Sequence, residues 1–173
     1  MNKLYRNFRY AWPLHFILLI TSWLPDNIIF INIRGRMARP FFKKCGEGLG
    51  LGRNVYFYDS SLIEIGSDVY IAYGSWFNGN IKIGDEVLFG PYCVLASETH
   101  TRSKGKSFRF GGNKPGAIIV GSGSWLGAHS IITGTCNLGA GSILAANSTL
   151  LKSSEVNAIY AGSPAKKIKN LEI

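Results

Sequence analysis

Residues 120–156 read VGSGSWLGAHSIITGTCNLGAGSILAANSTLLKSSEV, and an aliphatic side chain returns there at every sixth position: Val120, Leu126, Ile132, Leu138, Leu144, Leu150 and Val156. A small residue stands four places after five of them (Ser124, Ser130, Cys136, Ser142, Ser148), and Gly121, Gly127 and Gly139 directly follow three. A helix repeats its face about every 3.6 residues and a strand every two, so a fixed period of six predicts short extended segments separated by regular corners. Three such sides close a triangular coil. The aliphatic residue then fills an interior corner, the small residue sits where inward side chains crowd, and the glycine suits a corner of unusual backbone torsion.

The same phase runs upstream through Ile65, Ile71, Phe77, Ile83, Phe89 and Leu95, with Val69, Ser75, Val87 and Cys93 at companion positions. A shorter run, Leu51, Phe57 and Ile63, precedes it, displaced by two residues. Stacked coils pair their sides as parallel strands, and each coil needs its neighbours for burial. Between Leu95 and Val120 the apolar phase is lost, so a loop over 97–117 must leave the coil. It carries Arg102, Lys104, Lys106, Arg109 and Lys114 against Glu98 as its only acid. Long excursions from compact repeat domains are usually functional or disordered.

At 173 residues one domain is expected, and 21 glycines with 46% hydrophobic residues suit tight corners around a filled interior. Cys45, Cys93 and Cys136 are odd in number and widely spaced, which fits neither a disulfide framework nor a zinc site. Cys93 and Cys136 fall on the small-residue phase and read as buried free thiols in a reducing compartment.

Charge concentrates at the start of the chain, where residues 1–44 hold eight basic side chains (Lys3, Arg6, Arg9, Arg34, Arg36, Arg39, Lys43, Lys44) against Asp26 alone. Apolar runs at 11–24 and 28–33 lie within this arm, interrupted by Pro13, His15, Pro25, Asp26, Asn27 and Asn32. A membrane-spanning helix needs about 20 uninterrupted apolar residues, so neither run spans. No small-x-small pattern closes the stretch as a signal peptide would. Two compatible readings stand. The arm forms short helical or extended pieces at a membrane surface, with Trp12 and Trp23 at headgroup depth and arginines on anionic lipid, or it packs against the assembled protein. The chain thus divides into an arm over 1–44, a coil domain over 45–169 and a tail over 170–173.

Three segments carry a resemblance to a known family. Ile83-Gly84-Asp85-Glu86-Val87-Leu88-Phe89-Gly90-Pro91 before the loop, Trp125-Leu126-Gly127-Ala128 after it and Ala161-Gly162-Ser163-Pro164-Ala165-Lys166-Lys167-Ile168 near the end are similar to the hexapeptide-repeat acyltransferases, in particular the sugar O-acetyltransferases. The resemblance implies an all-β, left-handed parallel β-helix. Spacing cannot set that hand, and right-handed crossovers are the usual rule for parallel strands. It further implies acetyl-CoA as acyl donor without a metal, and a homotrimer with each site at a junction of two subunits. His100 becomes the general base for the acceptor hydroxyl, a role imidazole can fill near neutral pH, with Glu98 available to orient it. Asn78, Asn80 and Arg102 fall where an acceptor is held, although Asn78 follows an aliphatic residue and equally suits a left-handed corner. Trp125, Ala128, Ala146 and Lys152 match a pantetheine channel, and Lys166 and Lys167 are phosphate-binding candidates.

The basic loop and the apolar basic arm favour an acceptor bearing phosphate, such as a nucleotide sugar or a lipid-linked saccharide reached at the cytoplasmic face of a membrane. Nucleic acid is disfavoured, because no aromatic platform lies beside the charge and no binding motif appears. A zinc carbonic anhydrase of β-helix type needs three histidine ligands, and of His15, His100 and His129 one lies in the arm. His129 occupies an outward, solvated phase. A non-catalytic scaffold would lack both the loop histidine and the closing segment. N-acetylation of an amino sugar stays open beside O-acetylation.

Overall fold

The structure, a computed structural model, describes residues 2–172. Met1 and Ile173, the outer ends of the predicted arm and tail, lie outside the described residues, as does the side chain of Lys3. The chain winds a three-sided parallel β-coil. The first face stacks Lys44–Cys45, Ile63–Ile65, Asn80–Ile83, Ala117–Val120 and Asn137–Leu138. The second stacks Gly50–Leu51, Tyr70–Ile71, Leu88–Phe89, Trp125–Leu126, Ile143–Leu144 and Ala158–Gly162, and Ala165–Asn170 folds back antiparallel on the last of these. The third stacks Tyr56–Phe57, Trp76–Asn78, Val94–Ala96, Ile131–Thr133 and Thr149–Leu150.

The hexad residues form the interior ladders. Ile83, Val120 and Leu138 stand in register on the first face, Phe89, Leu126 and Leu144 on the second, and Leu95, Ile132 and Leu150 on the third. All are buried. The companion residues do more than fit a crowded position. Ser142 Oγ donates to Glu155 O (2.9 Å) and accepts from Ala158 N (3.1 Å), while Ser124 Oγ donates to Gly139 O (2.9 Å), so small hydroxyls stitch each coil to the next.

Glycine after the aliphatic residue is not the corner residue that the sequence reading expected. The left-handed positions fall three places after the aliphatic: Asp68, Glu86, Tyr92, His129 and Asn147 have φ of 54–58°. Gly127 is instead required by proximity, since a Cβ there would stand 2.5 Å from Ala146 N on the next coil. Asn78 likewise lies in an extended strand, and the left-handed residue is Gly79 beside it.

Three departures from an eighteen-residue rung have local causes. Leu51 pairs with Ile71 and Phe57 with Phe77, each 20 residues on, and a 3-10 turn at Ser60–Leu62 absorbs the displacement of two. Leu95 pairs with Ile132, 37 residues on, because the segment between Ala96 and Ala117 leaves the coil as an antiparallel hairpin of Thr99–Thr101 against Gly112–Lys114. Leu144 pairs with Tyr160, only 16 residues on, so the coil tightens as it ends. Val156, read from sequence as the last hexad residue, is therefore 60% exposed, and Ala158 and Tyr160 close the interior in its place.

The arm is helical. α1 (Lys3–Arg6) runs through a π turn at Asn7–Ala11 into α2 (Trp12–Ile20), and α3 (Ile28–Ala38) starts at Asn27, whose Oδ1 accepts from Phe30 N at 3.1 Å. α3 packs along the strand Gly50–Leu51, so closely that any Cβ on Gly35 would collide with the Leu49 carbonyl. Leu14, Ala38 and Phe42 join the core of the coil, where Phe42, Phe57, Phe77 and Phe89 follow one another at centroid separations of 4.9, 4.9 and 5.5 Å. The pin between arm and coil is Arg34, 1% exposed, which donates to Leu51 O (2.5 Å), Leu24 O (3.2 Å), Thr21 O (3.3 Å) and Asp26 Oδ1 (3.1 Å). Burial draws the Arg34 pKa down, and Asp26 opposes that shift. The arm thus packs on its own chain, with one side left outward. Among the described residues no helix is long and apolar enough to cross a membrane.

Candidate functional site

The hairpin springs from the corner between the third and first faces. Two residues hold its root. Ser97, buried, accepts from Asn80 N through Oγ (2.9 Å), and Gly116 lets the returning chain pass against the Ser97 carbonyl, where a Cβ would collide. Sequence reading had not singled out this pair; loss of the apolar phase marked the loop but not its anchors. His100 lies on the outgoing strand directly opposite Asn113, and its ring is exposed. Glu98 stands at the root, half-buried beside Gly79, and forms no hydrogen bond to His100. Arg102, Lys104, Lys106, Arg109 and Lys114 are all exposed, and among the described residues none is in an ion pair.

Beneath the root, Asn78, Ala96 and Thr133 form one row on the outer side of the third face. Asn78 Oδ1 is buried and has no hydrogen-bond partner. An orphaned buried acceptor costs about 1–3 kcal/mol, and this oxygen is such an unmet acceptor beneath the hairpin root. Asn80, one strand on, is exposed and uses its backbone N–H at the hairpin root.

The residues assigned to the acyl donor lie elsewhere on the same coil. Trp125 stands out from the second face, 47% exposed. Ala128 and Ala146 stack at the corner between the second and third faces, where Asn147 N donates to Ala128 O at 2.9 Å. His129, next to this column, stacks on Tyr92 with centroids 5.0 Å apart and planes 16° from parallel, so it is held by an aromatic neighbour rather than simply solvated. Lys152 follows Thr149–Leu150 on the hairpin's side of the third face and is exposed. Lys166 is exposed on the final strand, whereas Lys167 is committed to an ion pair with Glu155. In one chain, then, the third face separates His100 from the Trp125–Ala128–Ala146 group.

Burial pushes the Cys93 and Cys136 thiols up, and hydrogen bonding to Ser130 and Thr133 respectively pulls the other way. Neutral and enclosed, they act as packing. Two surface grooves of about 560 and 340 Å³, one under α3 and one on the first face, contain none of the predicted site residues. Among the described residues no three His, Cys, Asp or Glu side chains are grouped to hold a metal ion.

No protein-family model matches the chain. It is 27% identical over 148 residues to the galactoside O-acetyltransferase of Escherichia coli strain K12, a match covering 82% of this chain and 70% of that enzyme. In structure it is similar to a maltose O-acetyltransferase from Clostridium difficile 630, with a TM-score of 0.83 at 20% identity over 99% of this chain and 90% of the other. It is also similar to the hexapeptide-repeat acetyltransferase VCA0836 of Vibrio cholerae O1 biovar eltor complexed with acetyl coenzyme A, with a TM-score of 0.79 at 20% identity over 94% and 87% of the two chains. At such identities the solved structures speak for the fold, the left-handed β-helix that the resemblance implied. Hexad rungs, the hairpin interrupting them at one corner and these relatives together make the chain similar to the hexapeptide-repeat acetyltransferases in sequence and in fold.

Proposed function

We propose that the protein is an O-acetyltransferase that moves the acetyl group of acetyl-CoA to a hydroxyl of a saccharide. The acceptor is a surface glycan or its nucleotide- or lipid-linked precursor, met at the cytoplasmic face of a membrane. One observation carries the reading: an exposed imidazole lies on a hairpin rooted at Ser97, whose N–H donates to the Asn78 carbonyl (2.9 Å), and the Asn78 side-chain oxygen there is unpartnered. Named relatives act on a galactoside and on maltose, which supports a saccharide acceptor.

In the proposed reaction His100 takes the acceptor hydroxyl proton as that oxygen bonds to the thioester carbonyl carbon. The tetrahedral oxyanion then collapses, the C–S bond breaks, and the imidazolium returns its proton to the departing thiolate. The products are an acetate ester and coenzyme A. No covalent enzyme intermediate is needed, and general-base assistance of this kind is worth roughly 10²–10⁴ in rate. Asn78 holds the acceptor, with Asn80 and Arg102 at the rim of the site and Glu98 in support of the imidazole.

Trp125, Ala128 and Ala146 line the channel for pantetheine, with Lys152 and Lys166 free to meet phosphate. Lys167 contributes there only by releasing Glu155. Because the donor group lies across the third face from His100, the functional unit is a homotrimer in which each His100 faces the donor column of a neighbour. The five unpaired loop cations suit an acceptor that carries phosphate, and the arm suits peripheral contact with an anionic membrane.

The test is coenzyme A release from acetyl-CoA over a panel of neutral, nucleotide-linked and lipid-phosphate-linked saccharides. Ester formation on a saccharide is expected. Turnover confined to amino sugars would make the protein an N-acetyltransferase, and no turnover on any saccharide would remove the reading.

A further inference from the structure

The arm is apolar on two sides, and the coil covers only one. Leu14 and Thr21 turn inward and are buried, as are Ile31, Arg34, Gly35 and Ala38 of α3. On the other side Phe8, Trp12, Phe16, Leu19 and Trp23 recur at intervals of three or four and are all more than half exposed, Trp23 at 77%. Such spacing lines one side of a helix from Phe8 to Leu19, Trp23 follows in the turn after α2, and the helical run over 3–20 extends roughly 27 Å. α3 adds Ile29, Ile33 and Met37 as a second outward stripe. Isolated exposed apolar residues need no explanation, but a continuous stripe of this size marks a contact.

Its surroundings say with what. Eight basic side chains and a single acid make up the charge of residues 1–44, and the whole protein carries a formal charge of +9. Arg36 beside the α3 stripe is exposed and forms no ion pair among the described residues, while Arg9, also exposed, donates to the Pro40 carbonyl at 2.9 Å. Trp12 within the apolar stripe and Trp23 at its end, with arginine nearby, match a helix lying in the interface of an anionic bilayer. The arm is also placed usefully. Arg6 meets Asp59 at 3.3 Å on the link between the third and first faces, and the hairpin leaves by the same corner two rungs later, about 10 Å further along the coil.

We infer that the outward stripe of the arm is a docking face for an anionic lipid bilayer, held rigid by the Arg34 pin, and that docking sets the hairpin edge against the membrane. That this edge is catalytic rests on the preceding reading; the docking does not. Full-length protein is sedimented with vesicles of phosphatidylcholine alone or mixed with phosphatidylglycerol, at low and high salt. Binding to the mixed vesicles is expected, weakened by salt. Phe16→Glu/Leu19→Glu alters two exposed positions and should lower the partition coefficient on the order of a hundredfold, with the melting temperature and turnover of a soluble saccharide retained. Tryptophan emission, quenched by brominated phosphatidylglycerol in the wild type, should lose most of that quenching in Trp12→Phe/Trp23→Phe, which decides the matter if the glutamates unfold the arm. His100→Ala should bind vesicles as the wild type does, so failure of docking and failure of the catalytic reading are told apart. Absence of binding to mixed vesicles, or binding unchanged in the glutamate variant, would overturn the inference. So would a fall in oligomer mass caused by the glutamates without any vesicle binding, which would assign the stripe to contacts between copies.

Discussion

Gly127 and His129 are two positions apart and break opposite rules. Gly127 has ordinary torsions but no room for a Cβ, while His129 carries a full ring at φ 58°. In sequence the missing side chain of a glycine looks the same whether torsion or proximity demands it, so the recurrence of Gly121, Gly127 and Gly139 was legible and its reason was not. The aliphatic ladder was fully legible, because burial leaves a periodic trace. Cysteine burial was legible for the same reason at Cys93 and Cys136. Cys45 falls off the small-residue phase, yet desolvation by its surroundings pushes its thiol from 9.0 up to about 11, with Arg39 opposing. A rise of two units cuts the thiolate fraction at pH 8 about a hundredfold. Iodoacetamide should therefore label Cys45 in the folded protein far more slowly than in guanidinium, and equal rates would contradict the burial. The sign for stability follows. The contribution of this neutral thiol is complete below pH 9 and is lost between pH 9 and about 11, as the unfolded chain ionises first.

At the scale of elements, the excursion after Leu95 and its histidine could be read from the broken period, but the antiparallel pairing within it could not. Thr99–Thr101 and Gly112–Lys114 are polar and too short to carry an alternating pattern that would announce two strands. The arm was legible as apolar and basic, and its helices were within the expectation. Its anchoring was hidden, because Arg34 looks in sequence like any other member of a basic surface run. Instead it is a buried cation that satisfies three carbonyls and Asp26. Removing one partner of such a buried set costs roughly 3–5 kcal/mol. Arg34→Ala should lower the thermal midpoint and open the segment around Pro25 to proteolysis, whereas Arg36→Ala, on the exposed side, should do neither. Equal effects of the two substitutions would contradict the pin.

For the whole molecule, the repeat determines how the chemistry is distributed. A triangular coil presents three faces and three corners, and this chain puts the hairpin that carries His100 at one corner and the Ala128–Ala146 column, proposed for the acyl donor, at another. Most of the candidate residues could be picked from the flanking motifs, but one-dimensional order could not say that a face lies between them. Nor could it foresee that Asn78 offers an unpaired oxygen or that Lys167 is occupied by Glu155. Both facts arise from contacts between residues 12 or more positions apart. Assembly across faces is the arrangement we propose for bringing imidazole and thioester together, and the inferred membrane docking would orient the same edge. The central claim is that His100 activates the acceptor oxygen, and the most direct measurement is the single-turnover rate of acetyl transfer in His100→Ala beside the wild type, with acetyl-CoA affinity measured in parallel. The expected rate is lower by about 10²–10⁴ with donor affinity nearly unchanged; transfer at the wild-type rate in the variant would rule out that role for His100.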